Sequence, residues 1–122
     1  MKKLVFAMLV MLAGCSGDYS VDLGNGYSYE HWGNNFIAHS DEKGQREIIS
    51  GQVDAYLKKG DRVIAIQVSL ETGGEKYYLL NVADHSLDQF TDYPAFTEQT
   101  ERVGFSKDEL AKLKAGVVKP ML

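Results

Sequence analysis

The sequence has 122 residues, which is enough for one domain with one hydrophobic core. It contains 13 Lys and Arg residues against 17 Asp and Glu residues, so its formal net charge is −4. This acidic balance argues against nucleic acid or an anionic lipid surface as the main partner, since both would repel the chain at long range. The single cysteine, Cys15, excludes an internal disulfide.

The first element in chain order is an N-terminal export signal. Lys2 and Lys3 precede an apolar run over residues 4–12, and the small residues Ala13 and Gly14 follow it. The run is far shorter than the roughly 20 apolar residues that a membrane-spanning helix needs. We therefore expect this segment to be removed after export.

The tetrapeptide Leu12-Ala13-Gly14-Cys15 resembles the lipobox of bacterial lipoproteins. This resemblance implies transfer of a diacylglyceryl group to the sulfur of Cys15, cleavage after Gly14 and, in many bacteria, acylation of the new amino group. Two or three acyl chains would hold the protein at a membrane, because their release is very slow. The alternative is an ordinary secreted protein whose signal ends in Ala-Gly-Cys, which would leave Cys15 as an unexplained free thiol.

Cleavage at this place would divide the chain into three parts. Residues 1–14 are the predicted lipoprotein signal peptide, residues 15–18 a short lipidated tether, and residues 19–122 a single globular domain. The mature protein would keep 11 basic and 17 acidic residues, a net charge of −6. By the same resemblance, Ser16 favours the outer membrane in a Gram-negative cell. In a Gram-positive cell the anchor would lie on the outer face of the plasma membrane.

Strand patterns begin directly after the tether. Polar and apolar residues alternate over 19–23, the turn-forming Gly24-Asn25-Gly26 follows, and a return strand is predicted over Tyr27–Trp32. Consecutive short strands with glycine-rich turns favour an antiparallel meander, which we expect to contain five or six strands. The further stretches with strand character are residues 35–39, 46–49, 53–57, 62–70 and 77–82.

Helical signals replace the strand pattern after Asp92. Pro94 can begin a helix at its first position, and Gly104 can end that helix in the left-handed conformation. Ser106 and Glu109 then have the spacing of a capping box, and the second helix should close at Gly116. The predicted fold class is therefore α+β, a small antiparallel meander with one or two C-terminal helices covering part of one face.

No catalytic or cofactor motif is present. The histidines His31, His39 and His85 show no Ser-His-Asp spacing, and no Gly-x-Ser-x-Gly elbow occurs. The best candidate for a metal is Asp84-His85 with Asp88, but it lacks zinc or EF-hand spacing and is more typical of a turn. We expect no catalytic residues, no metal and no cofactor.

Aromatic residues are concentrated near the N-terminal hairpin. Rings with a polar end are enriched at protein interfaces, and they can also stack on sugars. We select Tyr27, Tyr29 and Trp32 as the predicted contact residues for a partner, although tyrosine is also a good strand former that covers half-exposed sheets. The stretch 84–101 mixes acidic and aromatic residues, and it fits either a face for a basic partner or a solvated helix face.

These observations lead to one functional hypothesis and two rivals. The leading hypothesis is a membrane-anchored envelope lipoprotein without enzymatic activity that binds an envelope protein, in an immunity, inhibitor, exclusion or accessory role. An envelope enzyme acting on peptidoglycan or glycan is the alternative, with Glu30 or an aspartate near His85 as acid or base. A structural wall-bound lipoprotein is disfavoured, because the chain has no heptad run.

Overall fold

The computed structural model describes residues 19–32, 34–69 and 71–115, which form two four-stranded antiparallel sheets and two helices. The predicted signal peptide and tether, with Cys15, lie outside these residues. In both sheets each strand pairs with its neighbour in sequence. Sheet A contains β1 Tyr19–Gly24, β2 Tyr27–Trp32, β3 Asn34–Asp41 and β4 Gly44–Ile49. Sheet B contains β5 Val53–Lys59, β6 Arg62–Val68, β7 Glu75–Asn81 and β8 Ser86–Phe90.

The first hairpin forms where the sequence predicts it. Asn25 and Gly26 have φ angles of 53° and 89°, the left-handed conformation that a two-residue hairpin turn requires. A side chain at Gly26 would also collide with its surroundings, because a Cβ there would lie 2.9 Å from the carbonyl oxygen of Ser40. The Asn25 amide donates a hydrogen bond to the Val82 carbonyl at 2.6 Å, so the turn is also tied to the end of β7.

Two helices follow sheet B. The first, α1 (Tyr93–Arg102), has Pro94 in its first turn, as predicted. The second, α2 (Lys107–Lys114), begins with the predicted capping box, in which Ser106 and Glu109 each accept a hydrogen bond from the other's backbone N–H. The predicted end at Gly116 lies outside the described residues.

Two hydrophobic clusters hold the elements in three layers. The inter-sheet cluster lies between sheets A and B, and the helix cluster lies between sheet B and the two helices. The inter-sheet cluster includes Leu23, Tyr27, Tyr29, Ile37, Ile49, Val53, Tyr56, Val63, Tyr78, Leu80 and Val82. The helix cluster includes Ile64, Ile66, Tyr77, Leu79, Phe96, Phe105, Leu110 and Leu113.

The structure confirms the α+β class and corrects the strand count, which is eight rather than five or six. Seven of the eight strands coincide with the stretches of strand character in the sequence, so the expected number was too low even for these stretches. The eighth strand, β8, is almost fully exposed and therefore lacks the alternation of buried and exposed residues that reveals a strand. The structure also contains two meanders instead of the predicted single one, because the chain leaves sheet A for sheet B at Ser50-Gly51.

Candidate interaction site

The structure places two of the three predicted contact residues in the interior. Tyr27 is 4% exposed and Tyr29 is 3% exposed, and both belong to the inter-sheet cluster. The Tyr29 ring packs on the Tyr56 ring with centroids 4.3 Å apart, and burial raises the pKa of Tyr29 to about 12. These two tyrosines therefore hold the sheets together and offer no surface to a partner. The side chain of Trp32 lies outside the part of the chain that the structure describes.

Tyr27 belongs to a small polar group at one end of the inter-sheet cluster. Its hydroxyl lies 2.9 Å from Nδ1 of His85, and its ring lies 4.5 Å from the ring of His39. The two imidazole rings meet edge to face at 5.5 Å. Sequence analysis did not bring these residues together, because they come from β2, β3 and the β7–β8 turn. The contacts join sheet A to that turn, and burial raises the pKa of Tyr27.

The residues considered for a metal do not form one group. Asp84 and His85 lie in the turn between β7 and β8, as predicted, but Asp88 lies within β8 opposite Leu79. The Asp84 carboxylate accepts a hydrogen bond from the Ser86 N–H at 2.9 Å, which lowers the pKa of Asp84 and closes the turn. Within the described residues, no three His, Cys, Asp or Glu side chains are arranged to hold a metal ion.

Glu30, the acid or base of the enzymatic alternative, is buried at 6% exposure. Its Oε2 atom accepts hydrogen bonds from the hydroxyls of Ser20 at 2.8 Å and Ser28 at 2.6 Å. Cross-strand pairing explains this arrangement, because Ser20 lies directly opposite Glu30 on the adjacent strand. These hydrogen bonds offset the free-energy cost of burying the carboxylate, as expected for a residue with a structural role.

An open cleft of about 430 Å³ lies at one end of sheet B. The β6–β7 turn and the Ser50-Gly51 connection border it, and its polar lining includes Gln67, Glu71, Thr72, Glu75 and Lys76. Sequence analysis missed this pair of glutamates. Hydrogen bonds from Lys114 and Tyr77 lower the pKa of Glu75, so this carboxylate stays ionised at neutral pH. Glu75 is therefore unsuited to act as a general acid.

The stretch 84–101 contains an exposed strand edge. Its aromatic residue Phe96 is fully buried in the helix cluster, whereas Asp84, Asp88 and Asp92 are exposed. Leu87, in the middle of this acidic run, is 38% exposed and is the one exposed large hydrophobic side chain among the described residues. Because β8 is the last strand of sheet B, this exposed leucine lies on a strand that has a neighbour on one side only among the described residues.

Neither described helix is long and apolar enough to cross a membrane. No protein-family model matches the sequence, and no curated protein or solved structure is significantly similar to it.

Proposed function

We propose that this chain is a lipid-anchored envelope protein that binds another envelope protein and has no enzymatic activity of its own. The observation that carries the binding role is Leu87, which is exposed on an edge strand between the carboxylates of Asp84 and Asp88. A single exposed leucine is common on protein surfaces, but this one lies on a strand edge that is unpaired among the described residues, and such an edge offers N–H and C=O groups to a further chain. The predicted anchor, Cys15, would bring this site to a membrane surface.

The tether limits how far the site lies from that membrane. Four extended residues, 15–18, span at most about 14 Å. A domain on such a short tether remains close to the lipid headgroups, so the proposed partner is itself a membrane protein or lies against the membrane. The location that the sequence favours is the outer membrane in a Gram-negative cell or the outer face of the plasma membrane in a Gram-positive cell.

The anchor is tested by removing the thiol. A Cys15→Ser variant should lose labelling by radioactive palmitate and should leave the membrane fraction, whereas a Ser16→Ala control should keep both. Continued labelling of Cys15→Ser would refute the lipid anchor without bearing on the binding role.

The binding role is tested by photocrosslinking in the native envelope. A photoreactive residue at Leu87 should give one dominant protein adduct on mass spectrometry. The same residue at Glu42, which is exposed in the β3–β4 turn on the other sheet, is the matched control and should not give that adduct. Identical adducts from both positions, or none from Leu87, would refute a specific partner at this edge.

A glycan-degrading enzyme is the second candidate, and the cleft at the end of sheet B favours it. Glycoside hydrolysis requires two carboxyl groups on either side of the scissile bond, and Glu71 and Glu75 both line this cleft. Glu71 would have to be the general acid, with the ionised Glu75 as the base or nucleophile. The test is release of soluble fragments from purified peptidoglycan. Release that is lost in both Glu71→Gln and Glu75→Gln would establish the enzyme in place of the binding module.

A further inference from the structure

We infer that the free edge of β8 accepts an extended segment of the partner, which adds to sheet B as a fifth strand. This inference rests on the proposed binding role and specifies its geometry. The partner segment that fits has basic and apolar side chains in alternation.

The four strands at the edges of the two sheets differ in how they are protected against pairing with a further strand. An exposed edge is a template for further strands, and natural proteins disrupt such edges with bulges or with lysine. The pairings of β1, β4 and β5 with their neighbours each contain a register shift. The edge strand β5 also carries Lys58 and Lys59. These three edges are thus irregular.

The β8 edge has neither device. Its pairing with β7 runs without a register shift from Asn81 opposite Ser86 to Tyr77 opposite Phe90. The strand contains no proline, no lysine and no glycine. Alternate residues of such a strand direct their N–H and C=O groups away from the neighbouring strand, where an added strand can bond to them.

The two faces of β8 define the chemistry of the added strand. Leu87 lies opposite Leu80, on the face toward sheet A, and it is exposed because it projects at the margin of the sandwich. Asp88 lies opposite Leu79, on the face that carries the helices. On the face toward sheet A, a side chain of the added strand would lie beside Leu87, where an apolar residue fits. On the opposite face, the next residue of the added strand would lie beside Asp88.

Charge favours a basic residue at that second position. No ion pair joins Asp88 to any residue that the structure describes, whereas lysine or arginine compensates each of five other carboxylates. Asp92 adds negative charge just beyond the strand, and Arg62 and His85 act on Asp84 at its other end. A basic partner strand would gain its attraction from Asp88 and Asp92, and its association would be accelerated.

A second copy of this chain fits the edge less well. Antiparallel pairing of two β8 strands over all five residues would place Asp88 opposite Asp88 of the other copy, because Asp88 is the central residue. Like charges directly opposite each other destabilise a strand pair. The occupant that the edge favours is thus a different, basic chain.

A peptide binding experiment tests this geometry. The full chain carrying Cys15→Ser is purified in nonionic detergent and titrated with a fluorescent peptide of alternating valine and lysine. The competitor has the same sequence with every backbone amide methylated, so it keeps the charges and side chains but lacks N–H donors. We expect the unmethylated peptide to bind about tenfold more tightly or better, and hydrogen exchange of the amides in Ser86–Phe90 to slow on binding.

Variants separate strand addition from simple charge attraction. Asp88→Lys should weaken binding of the unmethylated peptide by about tenfold or more, while Glu42→Lys, the same charge change on the other sheet, should have a much smaller effect. Leu87→Ser keeps the charge and should also weaken binding. Each variant is checked for an unchanged thermal melt.

Four results would overturn the inference. Equal binding of the methylated peptide, or an equal effect of Glu42→Lys, would show attraction without strand addition. Concentration-dependent dimerisation that Asp88→Lys alters would assign the edge to a second copy. A partner that crosslinks to position 87 in the envelope while exchange in β8 stays unchanged would support the proposed function and refute this mode of binding.

Discussion

The inter-sheet cluster and the helix cluster are built from different side chains. The inter-sheet cluster is rich in tyrosine, and two buried polar atoms, the Tyr56 hydroxyl within it and His39 Nδ1 beside it, have no hydrogen-bond partner among the described residues. The helix cluster contains mainly aliphatic residues and phenylalanine, and lysine side chains close its margin. Polar atoms without partners therefore lower the stability of the inter-sheet cluster from inside, whereas ion pairs of lysine stabilise the helix cluster at its margin.

The largest expected effect comes from emptying the helix cluster. Phe96 is fully buried, and its ring contacts those of Tyr77, Phe90 and Tyr93. Phe96→Ala should lower the free energy of unfolding by about 3–5 kcal/mol, because it removes apolar contact and leaves a cavity. Urea unfolding followed by circular dichroism measures this loss. A loss below about 1 kcal/mol would show that the helices contribute little to stability.

Alkaline pH should act on the inter-sheet cluster. Burial raises the pKa of Tyr29 to about 12, above the ordinary value of 10.0, and it also raises the pKa of Tyr56. The unfolded chain therefore loses these protons first, and the free energy of unfolding should fall as the pH rises from 10 through 12. Urea unfolding at several pH values measures the slope. Tyr29→Phe should flatten it, and an unchanged slope would contradict the assignment.

Removing one phenol oxygen should improve the inter-sheet cluster. Tyr56 is 3% exposed and its hydroxyl has no hydrogen-bond partner among the described residues, which costs about 1–3 kcal/mol. Tyr56→Phe should therefore raise the free energy of unfolding by about 1 kcal/mol. Tyr78→Phe is the matched control, because the Tyr78 hydroxyl donates to Gln67 at 3.0 Å and its loss should be destabilising. Equal effects of Tyr56→Phe and Tyr78→Phe would refute the claim that, of these two hydroxyls, only that of Tyr56 lacks a hydrogen-bond partner.

Helix capping makes a smaller contribution to the free energy of unfolding, on the helix-covered side of sheet B. Ser106→Ala removes the side-chain acceptor for the Glu109 N–H and should cost about 1 kcal/mol. Ser106→Asp retains an acceptor and should restore the stability. The thermal midpoint of the three proteins provides the measurement, and an unchanged midpoint in Ser106→Ala would contradict the role of the cap.

The smallest effect should come from the rim of the helix cluster. Glu75 accepts hydrogen bonds from Lys114 and Tyr77, which lower the pKa of Glu75. This contact stabilises the fold above the ordinary carboxyl pKa and should fade as the pH falls. Because both side chains of the ion pair are partly exposed, Glu75→Gln should cost less than about 1 kcal/mol at neutral pH. Double-mutant analysis with Lys114→Met isolates the pair.

Local signals predicted much of this fold, and long-range packing accounts for what they missed. The Asn25-Gly26 turn and the Ser106 capping box depend on neighbouring residues, and the sequence predicts both correctly. Tyr27 and Tyr29 share one face of β2, as residues two apart in a strand must, but the strand pattern does not determine whether that face is buried. The strand β8 escaped prediction because its burial is low and its pairing comes from β7.

The pairing order of the strands bears on how the chain reaches its fold. Each strand bonds only to strands adjacent in sequence, β1 to β4 in one sheet and β5 to β8 in the other. Hairpins of this kind close short loops, and topologies rich in short-range contacts fold faster than those that join distant segments. Each meander can therefore assemble from residues that are close together in the sequence, and the docking of the second meander onto the first completes the tyrosine-rich interior.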